Sequence, residues 1–378
     1  MRYYKGPCPV PPPPPLSKHV YLFFTVRPPP NDTSTMKKPL RALIRDQREK
    51  VPPVAKADLS NKVVIVIGAN IGLGFEATKH FARMRPARLI LACRSEEKGR
   101  VAIKELKKET GYHGSELRLV DLSSFRSVQA FADGIERDAL AIDVVVYNAG
   151  VVMKKHQVTA DGWEQTIQVN VLSALLLPVL LIPAAQRAAA AHPGSKPRLV
   201  IVGSDVHFWA EMPEKVIHSP SGKVLAELNK PENWLRAMTR QPRYYQSKLL
   251  ILLLIRELAK HLERTPIVAV VVNPGYCVSA LRRNLPAGAQ FGARVMEIII
   301  GRSTEEGSRM LVWAGVGNEG REDELRGTYV NLCRVEEPSD FVISEVGQDV
   351  QTQLWAESVE ILSAVLPAFK QALSQISA

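Results

Sequence analysis

The chain has 378 residues, 46% of them hydrophobic, and a formal charge of +11, so it can bury the core of one large domain or two. The charge is uneven: residues 1–56 carry a net +8 and 13 of the 27 prolines, which leaves +3 on the other 322 residues. A long part so near balance, without an Arg-rich or stacked aromatic stripe, speaks against a nucleic-acid binder, and four scattered cysteines with no C-x-x-C pair speak against a disulfide scaffold or a metal site.

Pro11 to Pro15 and Pro28 to Pro30 cannot enter a helix or a sheet interior, so residues 1–58 are expected to be a disordered or extended tail and linker. Val20 to Val26 is too short for a secretory core, which makes a cytoplasmic location the expectation. Met36 to Lys50 is basic and helix-capable, Met36 is a possible start, and the folded domain is expected from Leu59 to Ala364. Residues 365–378 are left as a C-terminal tail.

Val63 to Ile67 is β-branched throughout, as a parallel strand covered on both faces requires. It runs into Gly68, Gly72 and Gly74, a glycine turn opening a helix over Phe75 to Met84. Such a turn allows a sharp exit from the strand and a close approach of backbone to a pyrophosphate, with the free N–H groups of the helix start facing the phosphates. Strands then follow at Arg88–Cys93, Glu116–Val120, Ile142–Tyr147, Pro197–Val202 and Ile267–Val272, and helices alternate with them at Glu96–Thr110, Phe125–Asp138, Asn170 onward and Tyr244–Leu262. The alternation predicts an α/β fold, a single Rossmann-type doubly wound parallel sheet. Val169 to Ala185, interrupted by Asn170, Pro178 and Pro183, reads as a buried helix and no membrane span. Residues 205–243 have no clear period and are expected to form a lid over a substrate site. Further helices at Thr304–Gly315 and Val350–Ala364 and a short strand at Gly327–Val330 complete the chain.

Ligands of such sheets bind outside the carboxyl ends of the strands, and the notable polar residues fall there. Arg94 ends the second strand where an acidic residue would hold a ribose hydroxyl; it is either a surface cation or a clamp for a 2′-phosphate. Asp121 can accept from an adenine amino group or cap the next helix. Tyr244 and Lys248 share one helix face, so the ammonium can lower the phenol pKa and both can meet one small molecule. Ser204 can donate to the same substrate oxygen, and Asn170 can hold a water between Lys248 and solvent. His207, Phe208, Trp209 and Trp234 either wall a pocket for a lipophilic substrate or pack the lid onto the sheet, with His207 read as a structural hydrogen-bonder.

Gly68-Ala-Asn-Ile-Gly-Leu-Gly74, Asp121-Leu122, Asn148-Ala-Gly150, Asn170, Ser204, Tyr244-Tyr-Gln-Ser-Lys248 and Asn273-Pro-Gly275 lie in an order and spacing that resemble the short-chain dehydrogenase/reductase superfamily, over about Lys62 to Leu281. Leu91-Ala-Cys-Arg-Ser95 and Ser204-Asp-Val-His207 look most like its retinol dehydrogenase-like branch and fungal relatives. The resemblance implies Asn170, Ser204, Tyr244 and Lys248 as the catalytic set, with Tyr244 as acid/base. It further implies cofactor contacts from Gly68, Asn70, Ile71, Gly72, Leu73, Gly74, Arg94, Asp121, Leu122, Asn148, Ala149, Gly150, Asn170, Tyr244, Lys248, Pro274, Gly275, Val278 and Ser279. The implied cofactor is NADP (NADPH), the substrate a small lipophilic carbonyl or alcohol, and the assembly a monomer or homodimer without metal. Three departures stand out: Ile67 replaces a Thr, Tyr147 replaces an Asn before Asn148, and Gly203 replaces a Ser. An NAD-dependent dehydrogenase and a dinucleotide-binding sensor or scaffold without turnover are the rival expectations.

Overall fold

In strand β1 (Val63–Ile67), Val64 and Val66 enter one hydrophobic cluster and Ile65 and Ile67 another, because successive side chains of a strand point to opposite faces. The same division repeats in β4 (Val144–Tyr147), β5 (Arg198–Val202) and β6 (Val268–Asn273), so the β-branched runs are buried on both sides. A computed structural model describes residues 38–153, 155–219, 221–234, 243–278 and 301–376. Among these, eight strands form one sheet in the order β3-β2-β1-β4-β5-β6-β7-β8, with β2 at Arg88–Cys93, β3 at Ser115–Leu119, β7 at Tyr329–Asn331 and β8 at Arg334–Glu336. All neighbouring pairs are parallel except β7 with β8. The direction of winding reverses between β1 and β4, which opens a crevice at their carboxyl ends.

One face of the sheet carries α2 (Gly72–Arg83), α3 (Glu96–Thr110) and α9 (Thr304–Val316). The other carries α4 (Phe125–Arg137), α5 (Gln165–Ala191), α8 (Arg243–His261) and α11 (Glu345–Val365). Helix α5 is long and apolar enough to cross a membrane, yet its most apolar window is 94% buried inside the fold, the position of a core helix. The interval between Ser204 and α8 is not structureless. It holds a 3-10 turn at Asp205–Trp209 and two short helices, α6 (Glu214–Ile217) and α7 (Val224–Asn229). The buried Glu357 of α11 accepts from the N–H groups of Leu225 and Ala226 at 2.7 and 2.9 Å, and so caps α7 from far along the chain.

Both expected domain limits move outward. The unit that holds the sheet runs from Thr35 to Ala378. Helix α1 (Leu40–Arg48) precedes the predicted start at Leu59, and Lys38, Asp46, Gln47 and Val51 are buried. The helix falls in the stretch Met36 to Lys50 read as helix-capable, but the basic composition of residues 1–56, taken as a whole, gives no sign that it packs into the domain. At the other end the expected tail 365–378 contains α12 (Pro367–Ser374), which a proline at its first position starts afresh and whose Phe369 and Ala372 join the core. A short helix α10 (Asp340–Ile343) lies before α11.

Candidate active site

Gly68 leaves β1 with φ +81°, and a Cβ there would stand 3.0 Å from Ala149 backbone atoms. A Cβ on Gly74 would overlap the Gly68 carbonyl oxygen and lie 2.6 Å from the Asn148 amide, which donates to that carbonyl at 3.1 Å. Gly72, at φ +63°, has nothing within 4 Å of its missing side chain. The turn is therefore closed against β4 and open outward. Helix α2 begins at Ile71 with no side-chain cap and no acidic residue in its first turn. By contrast, Ser95 caps α3, Ser124 caps α4, and Ser303 with Glu306 forms a capping box on α9. The first N–H groups of α2 are thus left for an outside acceptor, and a bound anion is the natural one. Asn70, Ile71 and Leu73 border this opening, with Ile71 45% exposed.

Arg94, just past β2, is exposed and makes no hydrogen bond or ion pair with any described residue. Asp121 is already partnered: its Oδ1 accepts from the N–H and hydroxyl of Ser123 at 3.0 and 2.6 Å. Leu122 is buried and its carbonyl accepts from Ser173 of α5 at 2.7 Å.

Asn170 lies in a π-helical turn, Gln168–Leu172, within α5. Such turns disturb the i→i−4 ladder and recur at functional sites. Its side chain bonds at both ends: Oδ1 accepts from Val151 N–H at 2.9 Å, and Nδ2 donates to Val151 carbonyl at 3.0 Å and to Ser247 hydroxyl at 3.1 Å. Asn170 therefore ties α5 to the loop after β4 and to α8; both amide protons are committed, and the second lone pair of Oδ1 is what remains for a water. Tyr147, one of the three departures, is buried and donates its hydroxyl to Val169 carbonyl at 2.8 Å, filling a backbone acceptor of the same π turn. Nothing in the residue pattern points to that bond.

Ser247 also donates to Tyr244 carbonyl at 2.7 Å, and Arg243 donates to Gln246 and to Leu228 carbonyl, so the start of α8 is fastened to α5 and to α7. Lys248 Nζ is buried, donates to Val202 carbonyl of β5 at 2.6 Å and stands 5.6 Å from the Tyr244 ring centroid. Burial lowers its pKa from 10.5 to about 8. A Cβ on Gly150 would lie 3.4 Å from Asn170 Oδ1 and 3.9 Å from Lys248 Nζ, so Gly150, Asn170 and Lys248 meet at one point beyond β4. Ser204 follows β5 and caps the 3-10 turn, its Oγ accepting from Val206 N–H at 3.3 Å while its own proton stays available.

His207 has the structural part expected of it. Ser339 N–H donates to Nε2 at 3.2 Å, so Nδ1 carries the proton and donates to Ser204 carbonyl at 2.8 Å. Burial pushes its pKa down to about 4, which keeps the ring neutral. Gly275, φ +79°, and Pro274 form the turn after β6, and Val278, 47% exposed, donates its N–H to Arg302 carbonyl at 3.0 Å. Ser279 lies outside the described residues.

A short chain dehydrogenase family model matches residues 62–207. The chain is 32% identical over 319 residues to a short chain dehydrogenase/reductase of Cryptosporiopsis, covering 83% of this chain and 94% of that one. It is 35% identical over 334 residues to a short-chain dehydrogenase of Penicillium roqueforti, covering 86% and 84%. A solved structure of an uncharacterized protein from Mycobacterium paratuberculosis superposes with a TM-score of 0.57 at 25% identity, over 82% of this chain and 98% of that one. The chain belongs to the short-chain dehydrogenase/reductase family. It is accordingly a dehydrogenase/reductase with an NAD(P)-binding fold.

Proposed function

We propose that the chain is an NADP(H)-dependent carbonyl reductase or alcohol dehydrogenase acting on a small lipophilic substrate. The observation that carries this reading is the convergence of Gly150, Asn170 and Lys248, with Tyr244 beside Lys248, next to the strand end that bears Ser204. The residues also suit a dinucleotide. Gly72 faces open space, α2 begins without a cap of its own, and Arg94 is an exposed cation without a partner among the described residues, at the position where a 2′-phosphate would be recognised. A Shigella flexneri short chain dehydrogenase, solved in complex with NADP, has the same fold at a TM-score of 0.52.

When bound, NADP(H) supplies or accepts the hydride. The chain's own residues do the rest. Tyr244 donates a proton to the substrate oxygen in reduction and removes it in oxidation. The ammonium of Lys248, in a site dry enough to lower its own pKa, stabilises the phenolate side of that transfer. Ser204 donates to the same oxygen and fixes its position. Asn170 holds the π turn against α8 and so sets where Tyr244 begins. Gly68, Gly72, Gly74, Asn148, Ala149 and Gly150 form the cofactor floor, with Pro274, Gly275 and Val278 on the far side. Phe208 and Trp209, half-buried beyond Ser204, give the substrate side its apolar character.

The test is absorbance at the reduced-nicotinamide band with NADPH and with NADH, across ketones, aldehydes and the matching alcohols. Turnover with NADPH over NADH is expected. Tight NADPH binding with no turnover of any carbonyl or alcohol would instead favour a sensor.

A further inference from the structure

Ser204 is set in place by the residue after it. Asp205 is 5% exposed, and its Oδ1 accepts from Tyr329 hydroxyl at 2.6 Å and from Lys38 Nζ at 3.3 Å, while its N–H donates to Asn273 Oδ1 at 3.2 Å. Asn273 donates to Asn331 at 3.1 Å, Asn331 donates to Glu336 at 2.6 Å, and Glu336 accepts from Lys38 at 2.8 Å. The contacts close a ring that joins the carboxyl ends of β5, β6, β7 and β8 to Lys38. Asp46 of α1 pairs with the same ammonium at 2.8 Å, and Phe208 lies under it with the ring centroid 5.1 Å away. A second fastening runs beside the first. Gln47 donates to Tyr276 carbonyl at 2.9 Å and accepts from Tyr276 N–H at 3.1 Å, just past the Asn273-Pro-Gly275 turn.

A buried ammonium shared by three carboxylates is poor value as a source of stability, since taking four charges out of water costs about as much as their attraction returns. What such a network does well is fix geometry. We infer that Lys38 is a positioning residue for Ser204, and that the segment from Lys38 to Arg48 is a clasp holding the two loops that flank the substrate side of the site. The inference deepens the reading proposed above, because it takes Ser204 as the donor to the substrate oxygen. Lys38 itself need touch neither substrate nor cofactor. It acts through Asp205, by holding the first residue of the turn on which Ser204 sits.

The experiment compares the full-length wild type with Lys38→Met, which keeps the length of the side chain and loses its charge, and with Tyr329→Phe, which removes one hydroxyl from Asp205 and leaves the fold intact if Lys38→Met does not fold. Hydrogen exchange followed by mass spectrometry should show peptides covering 204–210 and 273–278 exchanging roughly tenfold faster in Lys38→Met, and those covering 204–210 also faster in Tyr329→Phe, with the peptides of α2 unchanged. Unchanged protection of 204–210 in both variants, or equal loss in α2, overturns the inference whatever the enzyme acts on. With NADPH and a carbonyl that the wild type reduces, Lys38→Met should lower kcat roughly tenfold with little change in NADPH affinity. In a Ser204→Ala background it should lower kcat little further, because the group it positions is gone. Effects that multiply independently would show that Lys38 does not act through Ser204. A wild type that binds NADPH yet reduces no carbonyl refutes the proposed function, while the exchange data still decide the role of Lys38.

Discussion

Around Gly68 to Gly74 the site is built from backbone and from the absence of side chains, with the Asn148 amide closing the turn. Around Ser204 it is built from long-range side-chain contacts, Lys38 to Asp205 and to Glu336, Tyr329 to Asp205, and His207 to Ser339. The two regions serve one crevice from opposite sides. A phosphate needs N–H groups and room, which a short local sequence can provide. In the proposed function a substrate oxygen needs one hydroxyl held at one place, and the contacts around Ser204 come from widely separated parts of the chain. The backbone-built side should therefore fail on the addition of a single carbon, and the side-chain-built side on the removal of a single charge or hydroxyl.

The largest effect is expected where the two sides meet. Under the proposed function Tyr244→Phe removes only the proton-transfer group, so kcat should fall by roughly 10²- to 10⁴-fold while the NADPH dissociation constant is nearly unchanged. Retention of more than a few per cent of the wild-type rate would assign the proton to another group.

Gly74→Ala probes the backbone-built side. In most helices the exchange gains about 1 kcal/mol of helix propensity, but here the new carbon would overlap Gly68 carbonyl and crowd Asn148. Overpacking of that kind costs roughly 1–3 kcal/mol, so the clash wins. NADPH affinity should drop by about tenfold or more in a fluorescence titration, and an unchanged value would mean that the turn has slack. Arg94→Asp should weaken NADPH by about tenfold to a hundredfold and NADH far less, since it removes charge-assisted bonds available only to the 2′-phosphate. Equal weakening of both cofactors would strip Arg94 of that part.

Much of the backbone-built side could be read directly from residue order. Val63 to Ile67 fits a buried strand and little else, and Gly68 and Gly74 have their spacing because each meets a neighbour within a few residues or one strand away, while Gly72 between them supplies a left-handed turn at φ +63°. Helix α2 can even be told from α3 by its missing cap. Lys38 offered no such signal. It sits in a basic, proline-rich segment, and two of its three carboxylate partners lie 167 and 298 residues away, beyond any period or motif. Tyr147 could be seen to depart from the family pattern, but not that its hydroxyl would complete the π turn holding Asn170. Helix α12 was hidden for a simpler reason, because Pro367 both ends one helix and begins the next.

A smaller effect, with opposite signs for stability and activity, is expected at Lys248. Burial lowers its pKa from 10.5 to about 8. Between those values the unfolded chain holds a proton that the folded chain has released, so this residue makes stability rise with pH across that window and leaves a penalty below it. Lys248→Met should therefore melt higher than wild type below pH 8, by roughly 1–2 °C for each kcal/mol relieved in a unit of this size, with the gap closing between pH 8 and 10.5. Turnover should be lost over the same range. A variant that melts lower at neutral pH would show that the bond to Val202 carbonyl outweighs the desolvation of the ammonium.

The smallest expected effect is none, and it separates the proline-rich leader from the clasp. Pro11 to Pro15 and Pro28 to Pro30 can neither continue a helix nor donate within a sheet, and the unit that carries the sheet begins at Thr35. A chain starting at Met36 keeps Lys38, Asp46 and Gln47 and should match the full-length protein in melting temperature and in kcat. A chain starting at Lys50 loses all three, and with them the ring at Asp205 and the hold on Tyr276. The two truncations differ by only fourteen residues. If both behaved like the full-length protein, the side-chain-built half of the site would stand without its clasp; if both lost activity, the leader would have a duty that its composition does not reveal.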